Sequence, residues 1–296
     1  MTEKERFNAM TMGEWLTFWY TTYKQPYLRP YSLRNIEQMI RLHTPVWLKA
    51  MRMVEISVLD IDKALAELPN GRTRVYARQV WHSAFLKACR LGIVERNVLD
   101  LTDTIRYKKK RGKALSVTER RDFLKAIKGK RVEWLMLFYL YTGVRRTEAL
   151  TLEWSDIDED EGLILIRGTK TEDSYRTILL TEQVKQILEA QRKQNEADKT
   201  RTGRGKLHSA DDNLVFHFSA GYVSYTFKAL CPAHHLHDLR HTYITLCAES
   251  GVNVSVCQHL VGHSTPNMTL NVYTHVMDEY KRREALKYTL FPEKRE

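Results

Sequence analysis

Cysteine is scarce in this chain: Cys89, Cys231, Cys247 and Cys257 are the only four among 296 residues. Thiols so few and so scattered, with no Cys-x-x-Cys pair, exclude a disulfide framework and fit the reducing conditions of a cytosol. Long apolar runs are missing too. No stretch reaches the roughly eighteen uninterrupted apolar residues of a membrane span, and the opening Met-Thr-Glu-Lys-Glu-Arg lacks the apolar core of a signal peptide. A soluble, cytoplasmic protein with no membrane partner is expected. A Gly-x-x-x-x-Gly-Lys-Ser/Thr phosphate loop is also absent, as are an acidic cluster resembling a two-metal nuclease site and any internal repeat. Neither a nucleotide nor a metal cofactor is expected.

Positive charge, by contrast, is in excess. Forty-seven Lys and Arg stand against 36 Asp and Glu, a net charge of +11 that suits a surface facing phosphates.

The chain reads as mainly α-helical with a small antiparallel β-sheet, in two domains. Residues 1–105 carry helical signals. Thr11 with Glu14, and Ser57 with Asp60, have capping-box spacing ahead of apolar positions. From Thr73, residues Ala77, Val80, Trp81, Ala84, Leu86, Ala88 and Leu91 recur at near-helical spacing before Gly92, which suits a helix stop. Aromatic residues of this domain are assigned to its core. Residues 106–115 then carry six positive charges (Arg106, Lys108, Lys109, Lys110, Arg111 and Lys113) without apolar periodicity, as expected of an exposed linker contacting DNA phosphates. Ser116 and Glu119 restart helical structure in a second domain, residues 116–296. There Trp134–Tyr141 is apolar all round and reads as a buried helix. Leu163–Arg167 and Tyr175–Leu180 read as a hairpin with Lys170 near its tip, and residues 183–198 read as helix before a polar loop.

One crowded segment invites a metal site, since Cys231, His234, His235, His237 and His241 fall within eleven residues. Structural zinc sites bring two ligand pairs together from separated segments, and no second pair is evident, so no metal is assigned. His234 and His235 are expected in a loop before a helix.

Four segments carry the chemistry: Thr142-Gly-Val-Arg-Arg-Thr-Glu148, Gly168-Thr-Lys-Thr171, His237-Asp-Leu-Arg-His241, and Leu260-Val-Gly-His263 followed ten residues later by Tyr273. In this order and spacing they resemble the tyrosine recombinase (phage integrase) family, on the side of the phage and conjugative-transposon integrases. The resemblance implies an N-terminal helical core-binding (SAM-like) domain and an α+β catalytic domain. It implies Arg145 and Arg240 as phosphate-clamping arginines, His237 and His263 as hydrogen-bonding histidines, Lys170 as general acid, Tyr273 as nucleophile, and Glu148 as support behind Arg145. Arg146, adjacent to Arg145, is assigned to DNA backbone or surface.

Residue chemistry agrees with these roles. Attack of a tyrosine on a phosphodiester builds negative charge on two non-bridging oxygens, and the planar, permanently charged arginine fork suits them. Free tyrosine has a pKa of about 10, so the nucleophile needs a positive field or a base, and the departing 5′ oxygen needs an acid. The phosphotyrosine keeps the energy of the broken bond, so resealing needs no ATP.

The resemblance further implies double-stranded DNA as partner, a homotetramer on two DNA sites joined through a C-terminal tail (residues 277–296), and an accessory excision or host DNA-bending factor. The expected function is site-specific recombination with type IB topoisomerase-like chemistry, integrating and excising a phage or other mobile element. An Xer-type chromosome or plasmid dimer resolvase and a non-catalytic DNA-binding regulator are the alternatives.

Overall fold

The computed structural model describes residues 9–69, 71–105, 107, 112–168, 175–199, 213–263, 265, 269–270 and 272–274. The chain forms two compact units, Met1–Lys110 and Arg111–Glu296, divided within the basic run. Lys108, Lys109, Lys110 and Arg111 lie outside the described residues, while Lys113 is described and exposed.

The first unit is helical: α1 (Met12–Tyr23), α2 (Pro30–Gln38), α3 (Val46–Ala50), α4 (Val58–Glu67) and α5 (Gly71–Arg90). Thr11 opens α1 with a closed capping box, its backbone N donating to Glu14 Oε2 at 2.8 Å while Glu14 N donates to Thr11 Oγ1 at 3.3 Å. Ser57 and Asp60 do the same for α4. Trp15, Trp19, Trp81 and Phe85 fill the core. Two of these indoles find buried acceptors, Trp15 Nε1 on Ala84 O and Trp81 Nε1 on Thr44 Oγ1, each at 3.1 Å. Helix α5 buries Ala77, Val80, Trp81, Ala84, Phe85 and Ala88. Leu86 and Leu91, read in the sequence as part of that stripe, are instead 36% and 44% exposed. At 3.6 residues per turn Phe85, four after Trp81, stays on the buried face, whereas Leu86 turns away from it.

The second unit combines α6 (Val117–Ile127), α7 (Glu133–Thr142), α8 (Arg146–Leu150), α9 (Glu182–Lys199), α10 (Ala220–Leu230), α11 (Asp238–Glu249) and α12 (Val254–Val261) with one small sheet. The sheet is antiparallel, in the order β1 (Ile157–Asp158), β2 (Leu163–Ile166), β3 (Arg176–Leu179). The hairpin arms pair Ile164 with Ile178 and Ile166 with Arg176. Lys170, expected at the tip, and the loop residues 200–212 lie outside the described residues. The two-residue β1 was not foreseen. Helix α7 is less uniformly buried than its composition suggests: Leu135, Met136, Phe138 and Tyr139 are buried, whereas Tyr141 is 49% exposed. Among the described residues no helix is long and apolar enough to cross a membrane.

Candidate active site

Two glycines in left-handed conformation shape the site. Gly143 ends α7 at φ +63° and Gly262 ends α12 at φ +64°. A side chain on Gly143 would run into the Tyr243 ring, and one on Gly262 would lie 2.8 Å from Arg176 Nη1. Each exposed C-terminal carbonyl is taken by an arginine: Arg240 Nη1 donates to Gly143 O at 2.7 Å, and Arg145 Nη2 donates to Gly262 O at 2.6 Å. These contacts give a physical reason for the glycines of Thr-Gly-x-Arg and Leu-x-Gly-His. Gly262→Ala is expected to lower stability by about 1–2 kcal/mol through left-handed strain alone, read in a urea titration.

Arg240 is 2% exposed, and its Nη2 donates to Val261 O, next to the carbonyl that holds Arg145. Among the described residues its buried Nε has no hydrogen-bond partner and no carboxylate pairs with it. Burial and then the Arg145 charge push its pKa down to about 9, so it stays a cation at neutral pH.

Behind this pair lies Glu148, its side chain fully buried. It accepts from Arg145 N at 2.7 Å, Arg145 Nη1 at 2.6 Å, and Arg176 Nη1 and Nη2 at 3.2 and 2.9 Å. Burial on its own would raise the carboxyl, but Arg176 first and Arg145 second outweigh it and hold the pKa at about 2. Arg176 also donates from Nε to Leu260 O at 2.8 Å, tying β3 to α12. Sequence reading overlooked Arg176. The strand alternation that places it on the face of buried Ile178 was the available signal.

His263 is buried, with Nδ1 2.8 Å from Thr269 Oγ1. Burial, then Arg240 and Arg145, lower its pKa to about 3. His237 packs edge-to-face on His241 at 5.1 Å. Burial, His241, Arg240 and Arg145 likewise push His237 down, to about 4, while the residue as a whole is exposed to solvent that screens these charges. Both imidazoles are therefore neutral at physiological pH.

Arg145, Arg240, His237 and His263 are thus brought together. Tyr273 is not joined to them by hydrogen bonds. It is 5% exposed in an apolar cluster with Ile244, Cys247, Ala248, Cys257 and Val261, and among the described residues its hydroxyl has no hydrogen-bond partner. Burial first, then the neighbouring Cys257 thiol, raises its pKa above the ordinary value, though the thiol does not stand in hydrogen-bonding geometry to the hydroxyl.

Arg146 points elsewhere, its Nη1 donating to Ser224 Oγ of α10 at 2.7 Å. A cavity of about 590 Å³ opens beside His237 and Arg240, with Arg146, Lys228 and His235 on its wall. His234, expected as an ordinary loop residue, is 2% exposed and sits 3.1 Å from Glu119 Oε1. Among the described residues no group of three or more His, Cys, Asp or Glu side chains is arranged to hold a metal ion.

The family model of the phage integrase family matches residues 113–280. That is more than half of the chain, which therefore belongs to this family of tyrosine recombinases. A XerC-like tyrosine recombinase of Caldanaerobacter subterraneus subsp. tengcongensis is 28% identical over 189 residues, 53% of this chain and 48% of that protein. The tyrosine recombinase XerA of Saccharolobus solfataricus is 29% identical over 182 residues, 62% and 58% of the two chains. The ICEBs1 integrase of Bacillus subtilis is 22% identical over 218 residues, 65% and 58%. The matched stretch thus spans about half the length of these relatives. Among solved structures, the Tn1549 transposon integrase in complex with a circular intermediate DNA superposes with a TM-score of 0.72 at 20% identity, covering 94% of this chain and 100% of that one. A lambda integrase dimer bound to a COC′ core site gives 0.74 at 20% identity, covering 91% and 79%. At this identity the likeness is one of fold.

Proposed function

We propose that this chain is a site-specific DNA recombinase that cuts and rejoins strands through a 3′-phosphotyrosyl intermediate. The observation that carries the reading is the pair of the half-buried Arg145 and the buried Arg240, held on the adjacent carbonyls of Gly262 and Val261, with no partner for Arg240 Nε among the described residues, an arrangement that favours an anion.

In the proposed reaction the Tyr273 Oη attacks the scissile phosphorus, forming the phosphotyrosine bond as the bond to the 5′ oxygen breaks. Arg145 and Arg240 neutralise the non-bridging oxygens, a contribution worth roughly 10²- to 10³-fold per donor. The neutral His263, its Nδ1 2.8 Å from Thr269 Oγ1, takes the tyrosine proton once the charge of the bound phosphate offsets the arginines that lower its pKa. His237 hydrogen-bonds the phosphate, and Lys170 donates a proton to the leaving 5′ oxygen. Reversal, with a second 5′ hydroxyl attacking the phosphotyrosine, reseals the strand without ATP.

Double-stranded DNA is the substrate, engaged by the basic run Lys108–Arg111 and Lys113 and by Arg146. The working species is a homotetramer on two sites, assisted by an accessory or DNA-bending factor, and the reaction integrates and excises a mobile element. The solved relatives that share the fold support DNA as partner: one is the lambda integrase tetramer bound to a Holliday junction.

The test is a nicked duplex whose short 5′ product diffuses away after cleavage. The chain is expected to form an adduct that survives denaturing electrophoresis, and a chain that binds duplex but never forms it is a regulator instead. Binding is also expected to weaken steeply as salt rises.

A further inference from the structure

The segment that follows the basic run is fastened to the segment carrying His237 and Arg240 at three points. Gly112 packs so closely on the His241 ring that any side chain there would collide with it, and would also lie 2.9 Å from Asp238 Oδ1. Leu115 N donates to Thr242 Oγ1 at 2.9 Å, and that hydroxyl donates on to Asp238 O at 2.8 Å. Glu119 Oε1 lies 3.1 Å from His234 Nε2, while Glu119 Oε2 accepts from Ser116 N at 2.8 Å. His234 is therefore locked to the first turn of α6, three residues ahead of His237.

The other side of the imidazole faces α11. His234 Nδ1 is 3.3 Å from Asp238 Oδ2, outside hydrogen-bond geometry, and that carboxylate oxygen accepts from His235 N at 2.9 Å. Lys228 Nζ, from α10, donates to the His234 carbonyl at 3.4 Å. The imidazole thus stands between two carboxylates on two elements, with one ammonium behind it. A loop residue with no task beyond connection seldom buries a titratable ring in such a setting.

We propose that residues 112–119 act as a strap that sets the register of the His237–Arg240 segment, with His234 as a positioning residue working through Glu119. The proposal rests on the recombinase reading above. His234 touches neither phosphate nor tyrosine. It fixes the loop from which His237 projects, and the adjoining His235 N, donating to Asp238 Oδ2 at 2.9 Å, joins that loop to the first turn of the helix bearing Arg240. Phosphoryl-transfer catalysis by fixed cations depends on their placement, so a small shift of this loop slows the reaction without removing a reacting group.

The experiment compares His234→Leu and His234→Gln with wild type on the nicked duplex at saturating DNA. His234→Leu is expected to form the adduct on the order of 10²-fold more slowly with duplex affinity unchanged. His234→Gln, whose amide can donate to Glu119, is expected to recover most of the rate. Glu119→Ala in the His234→Leu background is expected to add no further loss, since both changes cut one connection. A lowered melting temperature with a wild-type adduct rate makes the contact merely structural and overturns the proposal. Should His234→Leu not fold, Glu119→Ala alone, which removes the acceptor, gives the same reading, and an unchanged rate there overturns it. If the wild-type chain forms no adduct, the recombinase reading itself falls and takes the strap with it, an outcome distinct from equal rates in wild type and variant.

Discussion

Tyr273→Phe is expected to abolish the covalent adduct on nicked duplex while leaving duplex affinity intact and the fold as stable as wild type or more so. The first part follows from the proposed chemistry, since the phosphotyrosine bond needs the oxygen that this change deletes. The second part follows from packing. The Tyr273 hydroxyl is buried in an apolar cluster with no hydrogen-bond partner among the described residues, and an unsatisfied buried polar group costs about 1–3 kcal/mol. Removing it relieves that cost and opens no cavity. Most Tyr→Phe changes at satisfied hydroxyls lower stability, so the two effects together form a distinctive signature. Denaturing electrophoresis reads the adduct, filter binding the affinity, and a urea titration the stability. An adduct that persists in Tyr273→Phe assigns the nucleophile to another residue, and a clear loss of stability shows that the hydroxyl has a partner after all.

The same placement bears on how the site works. Burial and Cys257 push the Tyr273 hydroxyl away from ionisation, the opposite of what a nucleophile needs. The cations nearest the proposed phosphate position, Arg145 and Arg240, are held on backbone carbonyls and make no hydrogen bond to that hydroxyl. For the proposed attack the Tyr273 hydroxyl is expected to leave this apolar setting when DNA is engaged. Thr269 ties the segment leading to Tyr273 to His263, so the movement is expected to change the hydrogen bond that fixes the histidine ring.

Local signals in the sequence carried far. The capping boxes at Thr11, Ser57 and Ser116 and the hairpin arms around Ile164 and Ile178 depend on residues a few positions apart, and the structure contains them. Features that depend on tertiary neighbours did not show. Arg176 looks like an ordinary strand residue until β3 lies beside Glu148 and the Leu260 carbonyl. His234 looks like loop until Glu119, 115 positions away, meets it. Tyr273 could be singled out by its spacing from His263, but spacing says nothing of the apolar cluster that surrounds its hydroxyl. Leu86 and Phe85 show the converse, where composition was read correctly but a single step around the helix exchanged the buried residue for the exposed one.

Glu148→Gln carries the other large effect, and here stability and rate are expected to fall together. The carboxylate is wholly buried and answers two guanidinium groups through three hydrogen bonds and the Arg145 N through a fourth, so neutralising it leaves Arg145 and Arg176 without their counter-charge. Breaking a buried pair from one side costs about 3–5 kcal/mol. The sign of the pH dependence follows from the lowered pKa. Glu148 is held at about 2 in the folded chain against an unfolded value of about 4.3, so its contribution is complete above the unfolded value and fades as pH falls toward the folded one. The stability gap between wild type and Glu148→Gln is therefore expected to be widest near neutrality and to shrink steadily between about pH 4.5 and pH 2. A gap that stays constant over that interval shows that the loss comes from packing and not from charge. Because Arg145 relies on Glu148 from its backbone N and from Nη1, the freed guanidinium also leaves the Gly262 carbonyl, and adduct formation is expected to slow even where the variant is fully folded. Rate measurements below the denaturation midpoint separate that loss of placement from the loss of fold.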